Sequence, residues 1–337
     1  MLNPITRREV KTRFRTGRSA VTISVWLLFV GVAGYLIFRI AQGFASDRFR
    51  FSGGSGVLAS AYMGSMMFEL LTLLLLSAVL LVVPTVSALA IVGERERLTL
   101  ELLQVSQLGA RQVVLGKLAS SLAYLLLLVV AVAPILTLPL LIGGVTLLDI
   151  TAAIGMTTAT AVMVGAVSIF ISSAVRTSRA AVALSLLFVA LISVGTLLAM
   201  AGELFAFQSD DGQFFPRSGR EVVSVWPNPY FGMVSAIEEP LLSRGDSGAY
   251  TPANELLIRR QSGDAGFFDS GFAEPGFVEG PFIEEGLPLD QFGAQQQAAI
   301  TQRRGPVWVR TLAIYTVLTI VALWAAARRV AVPRRKI

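Results

Sequence analysis

The chain has 337 residues, of which 54% are hydrophobic and 15% charged, and its 28 basic and 22 acidic residues give a net charge of +6. Soluble domains carry about 25% charged residues, so this composition excludes an ordinary soluble protein and predicts a polytopic membrane protein. The chain contains no cysteine and no histidine, which excludes disulfides, thiolate or histidine metal sites, and histidine-based catalysis. The basic residues cluster beside apolar runs, a distribution typical of membrane edges rather than of nucleic-acid binding.

The N-terminal region combines a basic segment with a long apolar run. Asn3 is placed as a helix cap, Pro4 occupies the first helical position and six basic residues follow, so residues 3–18 predict an interfacial helix. The apolar run 21–38 then predicts the first transmembrane helix. A signal peptide cleaved near 43–45 is the alternative, but the length of the run and the later spans favour an uncleaved helix.

Five further apolar runs have the ~20 residues needed to cross the hydrocarbon core of a bilayer. The predicted spans cover residues 62–92, 113–142, 147–174, 180–201 and 308–324. Pro134 and Pro139 predict a tilt or kink in the third span. In the fourth span, Gly155/Ala159 and Ala161/Gly165 place small residues four apart, a spacing that allows two helix backbones to approach closely.

A charged, amphipathic insert, residues 93–117, separates the second and third spans. An apolar face recurs at i, i+4 and i+7, and a polar face repeats that spacing. The apolar positions are Leu98, Leu102 and Val105, and the polar positions are Arg97, Glu101 and Gln104. Thr99 and Ser106 are suitable caps and predict two short helices. The alternative is an ordinary solvated loop with a cluster of charges at a membrane boundary.

The order of residues in the insert resembles a known family. Gly-Glu-Arg-Glu-Arg at 93–97 is followed by Thr-Leu-Glu-Leu-Leu at 99–103 and Val-Leu-Gly-Lys at 114–117. This pattern resembles the coupling region of ATP-binding-cassette (ABC) exporter permeases of the type-2 family. Asn-Pro-Ile at 3–5, followed by Arg-Glu at 8–9, is similar to the start of those permeases. The resemblance covers roughly residues 1–200 and the last helix, whereas 202–306 has no counterpart.

The resemblance implies that the insert docks into a groove on a separate ATPase subunit. The residues that correspond to the coupling region are Glu94, Arg95, Glu96, Arg97, Leu98, Thr99, Glu101, Leu102, Leu103 and Val105. ATP and Mg would bind to that partner, present in two copies, so this chain is expected to be neither an enzyme nor a cofactor or metal protein. A P-loop in the chain itself would need glycine at Arg111 and Ser or Thr at Leu118. A second permease copy or a related permease would complete the transporter.

The resemblance also implies a cargo and a location. The expected function is export of a hydrophobic or amphipathic substrate, such as a drug-like molecule, a lipid or a peptide, across a bacterial cytoplasmic membrane. An alternative from another class is a non-transporting assembly or signalling protein whose outer segment binds a partner. A secondary transporter is less favoured, because buried charges are scarce and no inverted repeat is detectable.

The distribution of charge predicts the orientation of the chain. The N-terminus, the insert, the 175–179 turn and the C-terminal tail hold 17 bases and four acids, whereas residues 202–306 hold 15 acids and seven bases. The positive-inside rule therefore predicts cytoplasmic termini and an external 202–306. The fold class is all-α and polytopic, with six transmembrane helices, an N-terminal interfacial helix, a coupling helix between helices two and three, and a large outer segment. The predicted domains are 1–201 (with the coupling region 93–117), 202–306 and 307–337.

The outer segment contains a short repeat with a period of five. Its phenylalanines are Phe267, Phe272, Phe277 and Phe282, and an acidic residue stands two positions after each of them. A period of five matches neither a strand nor a simple helix. The favoured interpretation is an extended ribbon whose phenylalanines cover the outer mouth of a pathway; a pentad β-helix and a disordered segment are the alternatives.

Few ionisable residues fall within the spans. Glu69 lies in the second span and is the candidate to face a polar translocation pathway. Asp149 and Arg310 begin the fourth and sixth spans, where we expect them at the membrane interface.

Overall fold

The computed structural model describes residues 17–50, 56–98, 109–206, 223–242 and 307–330, and within these residues the regular structure is entirely helical. The helices are α1 Gly17–Arg50, α2 Gly56–Glu96, α3 Ala110–Leu136, α4 Leu138–Ile142, α5 Leu147–Ala174, α6 Ser178–Ala190, α7 Thr196–Ala206, α8 Pro229–Leu242 and α9 Val307–Val330. A π-helical turn, Leu191–Gly195, joins α6 to α7, and a 3₁₀ turn, Val223–Val225, precedes α8. Residues 3–16 of the predicted interfacial helix and the four phenylalanines of the predicted cover lie outside the described residues, whereas residues 17 and 18 begin α1.

In the described part of the chain, six helical stretches are long and apolar enough to cross a membrane. They are Ile23–Ser46, Ala59–Glu96, Ala110–Ile142, Leu147–Ala174, Ser178–Glu203 and Val307–Val330. Each contains or closely matches one of the six predicted spans, so the prediction of an all-α, multi-pass membrane protein is confirmed. The second of these lies in α2, the longest of the described helices: its 41 residues correspond to about 61 Å, twice the thickness of the hydrocarbon core.

The start of α5 follows from local sequence. Gly143 and Gly144 have φ angles of 115° and 79°, which side chains rarely tolerate, and they turn the chain after α4. Thr146 then caps α5: its Oγ1 accepts from the Asp149 N–H (3.3 Å), while Asp149 Oδ2 accepts from the Thr146 N–H (2.7 Å). Asp149, expected at the interface, therefore serves as a buried capping residue in the first turn of α5.

Helix α5 lies at the centre of the bundle and contacts α2, α3, α6, α8 and α9. Gly165 permits the close approach to α2 and α3, because a Cβ there would meet Leu118 Cδ1 at 3.2 Å and Ser87 Oγ at 3.5 Å. The pair Ala161/Gly165 of the small-residue pattern therefore faces the bundle, since Ala161 is buried too. Gly155 is exposed, with open space around its missing Cβ, so the other half begins on an outward face.

Residues 223–242 belong to the bundle rather than to a separate outer domain. Asn228 caps α8 with its Oδ1, which accepts from the Tyr230 N–H (2.8 Å). Its Nδ2 donates to the Ser193 carbonyl (3.0 Å) in the π-helical turn and to Thr196 Oγ1 (2.7 Å). Helix α8 then packs against α5, α9 and α2. This part of the predicted segment 202–306 thus enters the bundle.

The helix ends gather into two groups. Residues 94–97, 109–118, 172–178 and 326–330 meet at one end of the bundle, which we call the junction end. Residues 61–64, 139–144, 226–235 and 307–311 lie toward the other end, the far end. Along α2, 25 residues separate Glu69 from Glu94, or about 38 Å of helix, so Glu69 lies close to one membrane thickness from the junction end.

Candidate functional site

Three consecutive charged residues end α2, and each binds a different helix. Glu94 binds α3, Arg95 binds the end of α5 and Glu96 binds the start of α6. All three were predicted to belong to the coupling region. We call these residues and their partners the helix junction. The helix junction lies at the C-terminal end of α2.

Glu94 forms an ion pair with Lys117, whose Nζ lies 2.7 Å from Glu94 Oε1. The side chain of Lys117 is only 8% exposed, whereas that of Glu94 is 26% exposed. A lysine ammonium is costly to bury without a partner, and the Glu94 carboxylate offsets that cost between α2 and α3. The pair joins the two ends of the insert.

Arg95 caps the last turn of α5. Its Nη1 donates to the Val175 carbonyl (2.8 Å) and its Nη2 to the Ser173 carbonyl (3.3 Å). The last carbonyls of a helix have no partner within the helix and carry its negative dipole end. The Arg95 guanidinium supplies both the hydrogen-bond donors for these carbonyls and a positive charge at the negative dipole end.

Glu96 caps the first turn of the following helix, α6. Its Oε1 accepts from the Ser178 N–H (2.7 Å) and its Oε2 from the Ser178 hydroxyl (2.5 Å). Thr177, the residue at the N-cap of α6, makes no side-chain cap of its own. A carboxylate matches the positive dipole end of a helix. Arg95 therefore places a positive charge at the C-terminal end of α5, and Glu96 places a negative charge at the N-terminal end of α6. The two helix ends flank the turn 175–177.

Ser172 reinforces the contact between α2 and α5 just inside the junction. Its Oγ accepts from the N–H groups of Val92 (2.9 Å) and Ile91 (3.2 Å). The side chains of Ile91, Val114 and Ile169 form one buried apolar cluster with the last turn of α9. The junction therefore rests on a packed base that includes four membrane helices.

The insert leaves α2 through a strained turn at Leu98. The Arg97 N–H bonds to the Gly93 carbonyl (3.2 Å) and the Leu98 N–H to the Arg95 carbonyl (3.1 Å), which ends α2. Leu98 has a φ angle of 56° and is 79% exposed. A residue in the left-handed region cannot continue a right-handed helix, so Leu98 lies outside α2, and the apolar face predicted for Leu98, Leu102 and Val105 stays a prediction. Thr99, Glu101, Leu102, Leu103 and Val105 lie outside the described residues.

Helix α3 begins beside the end of α2. The Gln112 side chain accepts from the Gly109 N–H (3.3 Å), and the Gln112 N–H donates to the Gly109 carbonyl (2.8 Å). The chain thus leaves the junction after Leu98 and returns to it at Gly109. Residues 99–108 connect these two points in the chain. The ion pair between Glu94 and Lys117 joins α2 and α3, the helices on either side of that connection.

Glu69, the candidate pathway residue, lies inside the packed bundle. Its side chain is 7% exposed and engaged with neighbouring groups, and Thr72 Oγ1 bonds to its backbone carbonyl (2.8 Å). This conformation therefore does not present the Glu69 carboxylate to an open pathway. Within the part of the chain that the structure describes, no three acidic residues cluster as a metal site would require.

Sequence reasoning selected Glu94, Arg95 and Glu96 but not their partners. The partners of Arg95 and Glu96 lie about 80 residues away in the chain, and they are a serine and backbone carbonyls, which have no distinctive pattern. Lys117 had a detectable signal, since it is a charged residue within the apolar sequence of α3.

The cap on α6 can be tested directly. We expect Glu96→Ala to accelerate amide hydrogen exchange in residues 178–181 by about fivefold, because the first turn of α6 loses its side-chain cap. Arg97→Ala is the matched control, since Arg97 is the next residue, is exposed and lies in the turn after α2. Equal exchange in the two variants, measured by mass spectrometry in detergent, would show that Glu96 does not stabilise α6.

The sequence matches no protein-family model and no curated protein. The function therefore has to be argued from the chemistry and position of the helix junction.

Proposed function

We propose that this chain is the permease subunit of an ABC exporter, and that the helix junction transmits force between an ATPase partner and the membrane helices. The observation that carries the proposal is the attachment of three consecutive residues to three different helices. Glu94, Arg95 and Glu96 stand at the start of the insert, whose sequence resembles a coupling region. A partner that pulls on the insert would displace α2, α3, α5 and α6 together.

The junction suits force transmission because its contacts are short and involve charges. Charge-assisted hydrogen bonds are roughly twice as strong as neutral ones and hold a narrower geometry. The Glu94–Lys117 pair, the Arg95 bonds to carbonyls and the Glu96 bonds to Ser178 are all of this type. An ordinary solvated loop does not need such an attachment, so the contacts favour a loop that bears load.

The proposed orientation places the junction end in the cytoplasm. The basic residues that the structure describes at this end are Arg95, Arg97, Arg111, Lys117, Arg176, Arg179, Arg328 and Arg329. Glu94 and Glu96 are the carboxylates there, and both are bonded within the junction. An excess of bases marks the cytoplasmic side of bacterial membrane proteins. The acidic segment 202–306 would then lie outside.

Six helices are half the number expected for such a transporter, so a second copy or a related permease would complete the pathway. ATP binding would close two ATPase subunits, and the rocking of the paired bundles would alternate access between the two sides. Hydrophobic or amphipathic molecules are the proposed cargo. Glu69 is buried here and would reach such a pathway only in another conformation.

Copurification tests the proposal. The full chain, tagged and extracted gently from its native membrane, should bring with it a stoichiometric ATPase that carries a P-loop. Leu102→Asp should reduce the yield of that ATPase at least tenfold, because it places a charge in the predicted apolar docking face. Gln104→Asp, on the predicted polar face of the same insert, should leave the yield unchanged.

Recovery of other envelope proteins in place of an ATPase would contradict the proposal. That result would favour the alternative, a membrane assembly or signalling protein whose outer segment binds a partner.

A further inference from the structure

Among the residues that the structure describes, none covers one face of α9 along its length. Its exposed residues recur every three or four positions and include Val309, Val317, Ile320, Trp324 and Arg328. The 19 helical steps from Val309 to Arg328 span about 28 Å, close to the thickness of the hydrocarbon core. The opposite face buries Thr311, Tyr315, Ala322, Ala326 and Val330 against the bundle. The uncovered face is apolar until it reaches Trp324 and Arg328 at the junction end.

The arginines that end α9 both lie over aromatic rings. The Arg328 Cζ is 3.6 Å from the centre of the Trp324 ring, and the Arg329 Cζ is 5.3 Å from the centre of the Phe170 ring on α5. The N–H groups of a guanidinium lie in its plane, so stacking one face on a ring leaves its edges for other acceptors. Phosphate oxygens match that edge geometry.

Charge at the junction end favours an anionic ligand. The two described carboxylates there are bonded elsewhere, Glu94 to Lys117 and Glu96 to Ser178. Trp324 is 51% exposed, and tryptophan favours the headgroup region of a bilayer, where its ring is apolar and its N–H can be hydrated. The pair Trp324/Arg328 therefore combines an interfacial anchor with a cation, one helical turn apart.

We propose that Trp324, Arg328 and Arg329 form a binding site for the phosphate group of an anionic phospholipid in the leaflet at the junction end. The acyl chains lie along the uncovered face of α9, and the headgroup phosphate lies in front of the last helical turn. Phe170 orients Arg329 from the neighbouring helix, so the site spans the seam between α9 and α5. This site is separate from the helix junction and does not depend on the proposed transport function.

Native mass spectrometry of the full chain in detergent tests the site, with dioleoyl phosphatidylglycerol and dioleoyl phosphatidylcholine as probes. Arginine near a membrane surface contributes about fivefold to the binding of anionic lipid. We expect Arg328→Gln/Arg329→Gln to weaken phosphatidylglycerol binding about 25-fold and phosphatidylcholine binding much less, because choline offsets the charge of its phosphate. Trp324→Leu, which retains both charges, should weaken phosphatidylglycerol binding about fivefold.

The matched control is Arg111→Gln/Arg179→Gln, which removes two exposed charges from the same end. It should retain wild-type binding within about twofold if affinity depends on the site. Equal losses in the two double variants would overturn the proposal, because affinity would then follow net charge alone. Equal affinity of the wild type for both lipids would also overturn it. Displacement of phosphatidylglycerol by excess inorganic phosphate would instead indicate a site for free anions.

Discussion

Replacing Glu94 with leucine should lower the free energy of unfolding by about 3 kcal/mol. The variant leaves the ammonium of Lys117, which is 8% exposed, between α2 and α3 without its carboxylate. Lys117→Met should cost less, about 1–2 kcal/mol, because Glu94 is 26% exposed and water can hydrate it when its partner is lost. Thermal and denaturant unfolding in the same detergent would measure both differences.

The double variant Glu94→Leu/Lys117→Met is the decisive control. It removes both charges and replaces them with apolar side chains, so its stability should return to within about 1 kcal/mol of the wild type. Arg111→Met, at an exposed position near the start of α3, the helix that carries Lys117, should have no measurable effect on stability. If Glu94→Leu proved as stable as the wild type, the ion pair would not contribute to the junction.

Gly64→Ala should destabilise the far end of the bundle by about 3 kcal/mol, a large effect for one added methyl group. A Cβ at this position would lie 1.9 Å from the Gly143 carbonyl oxygen and 3.0 Å from that of Pro139. Both obstacles are backbone atoms that cannot rotate away, so α2 and the turn after α4 would have to separate. Hydrogen exchange across residues 137–147 should rise together with the loss of global stability.

Gly155→Ala is the matched control, because it makes the same substitution within a membrane helix. A Cβ at Gly155 meets no atom within 4 Å, so the substitution should be neutral or stabilise the protein by up to about 1 kcal/mol through helix propensity. Similar unfolding midpoints for Gly64→Ala and Gly155→Ala would show that the close approach at Gly64 is not required for folding.

The number and approximate bounds of the membrane helices could be predicted from the sequence. An apolar run long enough to cross a bilayer forms a helix there, because lipid cannot satisfy its backbone N–H and carbonyl groups. Helix α5 begins and ends at the predicted residues. Thr146 and Asp149 fix its start through local capping hydrogen bonds. Prediction was weaker beyond the apolar core. The left-handed φ angle of Leu98 ends α2, and hydrophobic periodicity does not encode such a backbone angle.

Only the tertiary structure decided which charged residues act together. The partners of Glu94, Arg95 and Glu96 lie 23, 80 and 82 residues away, on three helices. Such pairings depend on the rotation and relative height of packed helices, and hydrophobic runs determine neither of these quantities. The glycines show the same limit: Gly64 and Gly155 both lie in apolar helices, yet one meets a backbone carbonyl and the other open space. Sequence determined which segments become membrane helices, whereas packing determined how their ends meet.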